Sequence, residues 1–195
     1  MEEMKYLEKL QNPKYWFQYA VNQKYVGDQI LDNCILKKQL FQNCTDENSE
    51  YITLWANAHY HYGIGIENGL KGIVIRYYPE KISYKIEGRQ IILKSIGGNP
   101  GKRHDLLSLA ESINLFSGRF HIFEHETDIT TLKIVFNHLS DMVKWGARYP
   151  LPTGSKKHFV FDGSIPSVLV YGFHILDVIE PVFRLFRDEL NHTSN

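Results

Sequence analysis

Apolar residues recur every three to four positions through most of this chain, the spacing that gathers them on one face of an α-helix. The clearest stripe runs from Glu50 to Tyr77: Ile52, Trp55, His59, Tyr62, Ile66, Leu70, Ile73 and Tyr77 keep it without a break. A histidine inside such a stripe reads as structural, and His59 is expected to be one. On a wheel of about 100° per residue, Gly65, Gly69 and Gly72 gather on a different face. Each interior glycine costs about 1 kcal/mol relative to alanine. Three on one side predict the close approach of a neighbouring backbone, and a central helix buried on two sides.

The other elements follow from the same spacing and its punctuation. Asn12 is a good cap and Pro13 a good first helical residue, and Trp16, Ala20, Ile30, Leu31 and Cys34 carry a helix to about Phe41. The polar run from Asn43 to Ser49 predicts a loop. Pro79 ends the central helix, and Ile82–Ile86, Gly88 and Gln90–Leu93 predict a small β-hairpin over about 82–94. Gly97–Gly101 reads as a flexible loop. Asp105 caps a short helix to about Asn114, with Leu106, Leu109, Ala110 and Ile113 inward. No period is visible from Phe116 to Glu126, which is expected to be loop. Thr127 or Asp128 then caps a helix to about Trp145, broken by the prolines of Arg148–Pro152. After a loop to about Gly163, a last helix is expected from Pro166 to Leu190, kinked at Pro181. The prediction is one all-α domain over 1–195, a helical bundle of about five helices with a β-hairpin insertion.

Composition narrows the classes. The chain has 195 residues, enough for one core, and its 22 basic and 22 acidic residues cancel. No overall charge draws it to nucleic acid, so phosphate binding must come from a local cluster. Cys34 and Cys44 are the only cysteines, too few for a disulfide framework and not spaced for a metal. His59 and His61, two residues apart, sit on opposite helix faces, and no His-Glu-x-x-His pattern occurs. No metal and no cofactor are therefore expected. The first residues lack a signal-peptide pattern, and no apolar run approaches the roughly 18 residues that span a bilayer. A soluble, cytoplasmic protein with no membrane partner is the expectation.

Three places could carry chemistry. Glu67 and Lys71 are a favourably oriented i, i+4 pair. They serve either as an ion pair supporting the helix or with one member facing a cleft. Lys102-Arg103-His104-Asp105 opens a helix, where backbone N–H groups favour an anion, although Asp105 as the cap takes up those donors. Arg148, between Trp145 and Tyr149, either stacks and reaches a phosphate bidentately or caps the preceding helix. No nucleophile elbow, P-loop or dinucleotide fingerprint is present.

Gly63, Glu67 and Lys71 on one helix, followed after a loop by His104-Asp105-Leu106 and Leu109, resemble the HEPN superfamily. The tract Lys144–Pro150 also resembles one in related bacterial proteins, and the resemblance covers about residues 14–150. It implies a small helical bundle, homodimeric, of a kind common in defence and toxin systems. Active members cut RNA without metal through an Arg-x(4–6)-His motif near the start of a late helix. Here the literal match is Arg119–His125, in a stretch read as loop and so displaced from that placement. The resemblance thus implies nucleotide or RNA binding by Glu67, Lys71, His104 and Asp105, and ribonuclease catalysis by Arg119, His125 and Arg148. The alternative is a catalytically silent module that dimerises through its aromatic helices, for which 12 Tyr and 11 Phe supply the surface. A small-molecule pocket between helices is a third reading.

Overall fold

Helix α3 (Glu50–Tyr77) is the axis of the molecule in the computed structural model, which describes residues 2–40, 50–88, 90–97, 104–117, 119–120, 122, 126–146 and 174–191. Its stripe is buried as the spacing predicts: Trp55, Tyr62, Ile66, Leu70 and Ile73 all belong to the core. Helix α2 (Pro13–Leu40) lies along it, started by Asn12, whose Oδ1 accepts from the Lys14 N–H at 3.0 Å. Helices α4 (Leu106–Ser112), α5 (Glu126–Asp141) and α6 (Glu180–Leu190) pack on its other sides, so α3 is enclosed nearly all round.

Before α2 comes a helix that the periodicity does not announce, α1 (Glu2–Leu10). Most of its described side chains are exposed, and Leu10 is the buried one. So short a helix with so little apolar face owes its place to tertiary contact. The Trp16 indole N–H donates to the Leu10 carbonyl at 3.0 Å and ties its end to α2. Among the described residues the result is a helical bundle of six helices with a two-stranded hairpin, the expected architecture with α1 added.

The glycine face of α3 meets neighbours on two sides. A Cβ on Gly65 would come within 3.1 Å of the Ala20 carbonyl oxygen of α2, the backbone approach that the pattern predicts. At Gly69 the neighbour is instead a side chain, since a Cβ there would overlap the Phe186 ring of α6. Glycine is needed in both places because the facing group cannot retreat into a packed core.

The late helices depart from the expected outline. A π-helical turn, Met142–Gly146, closes α5, and another, Ile175–Ile179, leads into α6. Pro181 follows directly on that second π-turn, within a helical stretch that continues from His174 to Leu190. In the wider turn before it, the Glu180 N–H bonds the Ile175 carbonyl five residues back. That register takes up the ring clash which a straight α-helix relieves by bending. The expected start of this helix at Pro166 lies outside the described residues.

The hairpin pairs β1 (Ile82–Glu87) with β2 (Gln90–Ile96) in antiparallel register, closed by Glu87 opposite Gln90 with Gly88 at φ +59°. Its base is anchored: Ile96 is buried, and Ile82 and Leu93 pack on the core. Among the described residues no helix is long and apolar enough to cross a membrane.

Candidate functional site

Glu67 carries a charge into the core. It stands between Ile66 and Leu70 of the buried stripe and is only 5% exposed. Each of its oxygens is taken by a cationic or potentially cationic donor. Lys71, one turn on, reaches Oε1. The His104 Nδ1–H donates to Oε2 at 2.8 Å from the segment before α4. A buried carboxylate without such partners would be protonated or strongly destabilising. Burial pushes the Glu67 carboxyl up, but the His104 hydrogen bond and the Lys71 charge outweigh it, and the group stays below its usual range.

The donors differ from their acceptor in exposure. The His104 side chain is 39% exposed and that of Lys71 25%, against 6% for that of Glu67. A buried anion thus holds two donors at a rim that solvent reaches. Lys71 also lies 5.9 Å from the centre of the Trp16 ring, a contact that limits where its ammonium can go.

Local structure presents His104 in a defined way. It adopts φ +65°, a left-handed conformation that histidine, asparagine and aspartate visit more readily than most residues. Asp105 follows as the cap of α4, with Oδ1 accepting from the Ser108 N–H at 2.9 Å. The capping reading of Asp105 is thus seen directly, and Oδ2 additionally faces Lys144 at 4.0 Å. The start of α4 is pinned to α5: the Leu106 N–H donates to Ser140 Oγ at 2.9 Å, and Ser140 Oγ donates to the Phe136 carbonyl at 2.7 Å. At the other end the Lys81 ammonium holds the Ser112 carbonyl. Neighbouring elements therefore fix where His104 sits.

This constellation joins four of the residues singled out from the sequence: Glu67, Lys71, His104 and Asp105. Arg119 is elsewhere. Its guanidinium lies over the Tyr77 ring at 4.0 Å, and Tyr77 is ten residues beyond Glu67, about 15 Å along the axis of α3. His125 and Arg148 lie outside the described residues, as do Lys102 and Arg103.

A second polar group was only partly legible. His59 is wholly buried, and His138 of α5 and His174 at the head of the second π-turn are buried beside it. The His59 Nδ1–H donates to the Trp55 carbonyl at 2.7 Å, which leaves Nε2 as an acceptor. His174 Nε2–H then donates into it at 2.8 Å, and the two rings stack with centroids 4.7 Å apart. His138 stands edge-on to His59 at 5.3 Å. Burial, then the neighbouring imidazoles, hold His59 well below its ordinary pKa, and burial takes His138 down to about 3. His59 and His138 are neutral bases built into the core. His138 could have been found: it falls three residues after Val135 and four before Met142, inside the apolar stripe of its helix. Among the described residues no set of three His, Cys, Asp or Glu side chains, this one included, is placed to hold a metal ion.

Chemically, the Glu67 rim can do two things. With His104 neutral, its Nδ1–H is committed to Glu67 and the lone pair is on Nε2, the arrangement of an oriented general base. With His104 protonated, the rim presents an imidazolium and an ammonium over a shared carboxylate and can hold an anion. Comparison with protein-family models, with curated proteins and with solved structures returns no match.

Proposed function

We propose that this chain is an HEPN-like RNA-binding protein that takes an RNA phosphate at the rim formed by Lys71 and His104. The observation that carries the reading is the Glu67 carboxylate, buried in the core yet bonded to donors from two separate segments that both remain open to solvent. Partial exposure spares the two donors most of their desolvation cost and at the same time leaves them within reach of an anion.

Metal-independent cleavage is the second part of the proposal. In this reading His104, oriented by Glu67, takes a proton from a ribose 2′-hydroxyl through Nε2, while Lys71 offsets charge developing on the phosphate. The oxygen so activated attacks the adjacent phosphorus and the 5′-oxygen departs. His125 is the further candidate for the leaving-group side and Arg148 for stabilising the phosphate.

The test uses a labelled single-stranded RNA in EDTA with the full chain and with His104→Asn, Lys71→Met, His125→Ala and Arg148→Ala. The reading expects binding that weakens with salt, as phosphate contacts do, and is lost in the first two variants. Cleavage in EDTA that disappears with His104→Asn supports the catalytic part. Unchanged RNA binding in both rim variants would sink the proposal. A protein inert toward RNA would leave the interaction-module reading, for which the exposed Tyr15, Tyr19 and Tyr25 of α2 offer a surface.

A further inference from the structure

The hairpin carries an open edge with an unusual side-chain order. Among the described residues strand β1 pairs with β2 alone, and from Ser83 to Glu87 every residue is exposed, Ile86 to 62%. A two-stranded hairpin is marginal by itself in water, and a bare edge with apolar side chains invites another strand. Backbone parity says which residues would meet it. With Glu87 opposite Gln90 as the closing pair, hydrogen-bonded and non-hydrogen-bonded positions alternate backward along β1. Lys85 and Glu87 spend their backbone groups on β2. Those of Ile86 and Tyr84 point outward.

The side chains then select a partner and a register. In an antiparallel pairing of β1 with β1 of a second copy, Ile86 opposite Ile86 places the outward backbone groups of each against the other. The same register sets Lys85 opposite Glu87 of the other copy, twice. Moving the centre one residue either way sets Lys85 against Lys85 or Glu87 against Glu87, and both clash. Opposite the step from Ser83 to Tyr84, β2 carries the extra residue Lys94, and the added twist of the ribbon there confines the flat edge of β1 to Tyr84–Glu87. This disfavours registers centred nearer the base. Within one chain Lys85 and Glu87 already pair along the strand, so both charges lie on the face that the register needs. On the opposite face Ile86 is beside Ile91, and pairing extends that apolar strip across the two-fold axis.

From this self-complementarity we infer that β1 is a homodimer interface: two copies join edge to edge through Ile86, making a four-stranded antiparallel sheet. The inference is independent of the RNA reading, since the hairpin tip takes no part in the Glu67 site.

Sedimentation equilibrium of the full chain tests it with Lys85→Glu, with Glu87→Lys, and with the two variants mixed. Each single variant sets like charges opposite each other at both contacts and should dimerise at least about tenfold more weakly than the parent. The mixture restores opposite charges at both contacts and should recover a heterodimer. Circular dichroism of each variant confirms that the helical bundle is intact. A parent that stays monomeric at every soluble concentration overturns the interface, and so does a dimer that survives both single variants or a mixture that recovers nothing.

Discussion

The Nε2 atoms of His59 and His174 face each other across 2.8 Å in the core, one accepting and one donating. The bond holds only while His59 Nε2 stays unprotonated, because a proton there would set two N–H groups against each other. His59 and, beside it, His138 are bases whose charged forms the core rejects, and stability must depend on pH.

The sign follows from proton counting. In the unfolded chain histidine titrates near 6.5, whereas in the fold His59 lies well below that and His138 at about 3. Below pH 6.5 the unfolded chain binds protons that the native protein does not, so stability falls as pH falls. Each such histidine contributes about 1.4 kcal/mol per pH unit over that window. Glu67, held below its usual value, adds its own loss only at lower pH, as it is protonated in the fold. Urea midpoints between pH 7.5 and 5 should drop steeply for the parent. His138→Phe should flatten the drop by about one proton, and an unchanged slope would show that His138 does not stay neutral in the fold.

Gly69→Ala should destabilise by roughly 1–3 kcal/mol, the range for overpacking a filled core. The new methyl meets the Phe186 ring, which α6 holds in place. Combining it with Phe186→Leu should cost less than the sum of the two single changes, because the smaller side chain vacates that space. Simple additivity in urea denaturation would mean that the two positions do not touch.

Ser140→Ala removes both the acceptor for the Leu106 N–H and the bond from Ser140 to the Phe136 carbonyl. Ser140 and Leu106 are both buried, so the orphaned N–H should cost about 1–3 kcal/mol. Hydrogen exchange should rise first at the start of α4. If RNA binding is governed by the placement of His104, it should weaken in the same variant.

At His104 the backbone and the side chain can be separated. His104→Ala and His104→Asn both lose the Glu67 hydrogen bond as it stands, but asparagine tolerates φ +65° better than alanine does. His104→Ala should therefore be less stable by roughly 1 kcal/mol. Equal stability of the two variants would argue that the chain relaxes out of the left-handed conformation once the imidazole is gone.

Much of the architecture was legible in the chain because its cause is local. The stripe from Trp55 to Tyr77, the Asn12–Pro13 start and the turn at Gly88 each record a preference that a few neighbouring residues express. The i, i+4 pairing of Glu67 with Lys71 is of that kind, and so is capping by Asp105. The site itself needed more. His104 lies 37 residues from Glu67, and His174 lies 115 residues from His59. Helix packing brings those partners together, and no periodicity encodes which face meets which. The same holds for α1, whose own apolar face is too small to declare it, and for the π-turns beside Met142 and Ile175, which arise where packing and a proline compete with α-helical register. Local propensity decided which segments are helical. Burial of a charge beside distant partners was decided only when the helices closed around α3.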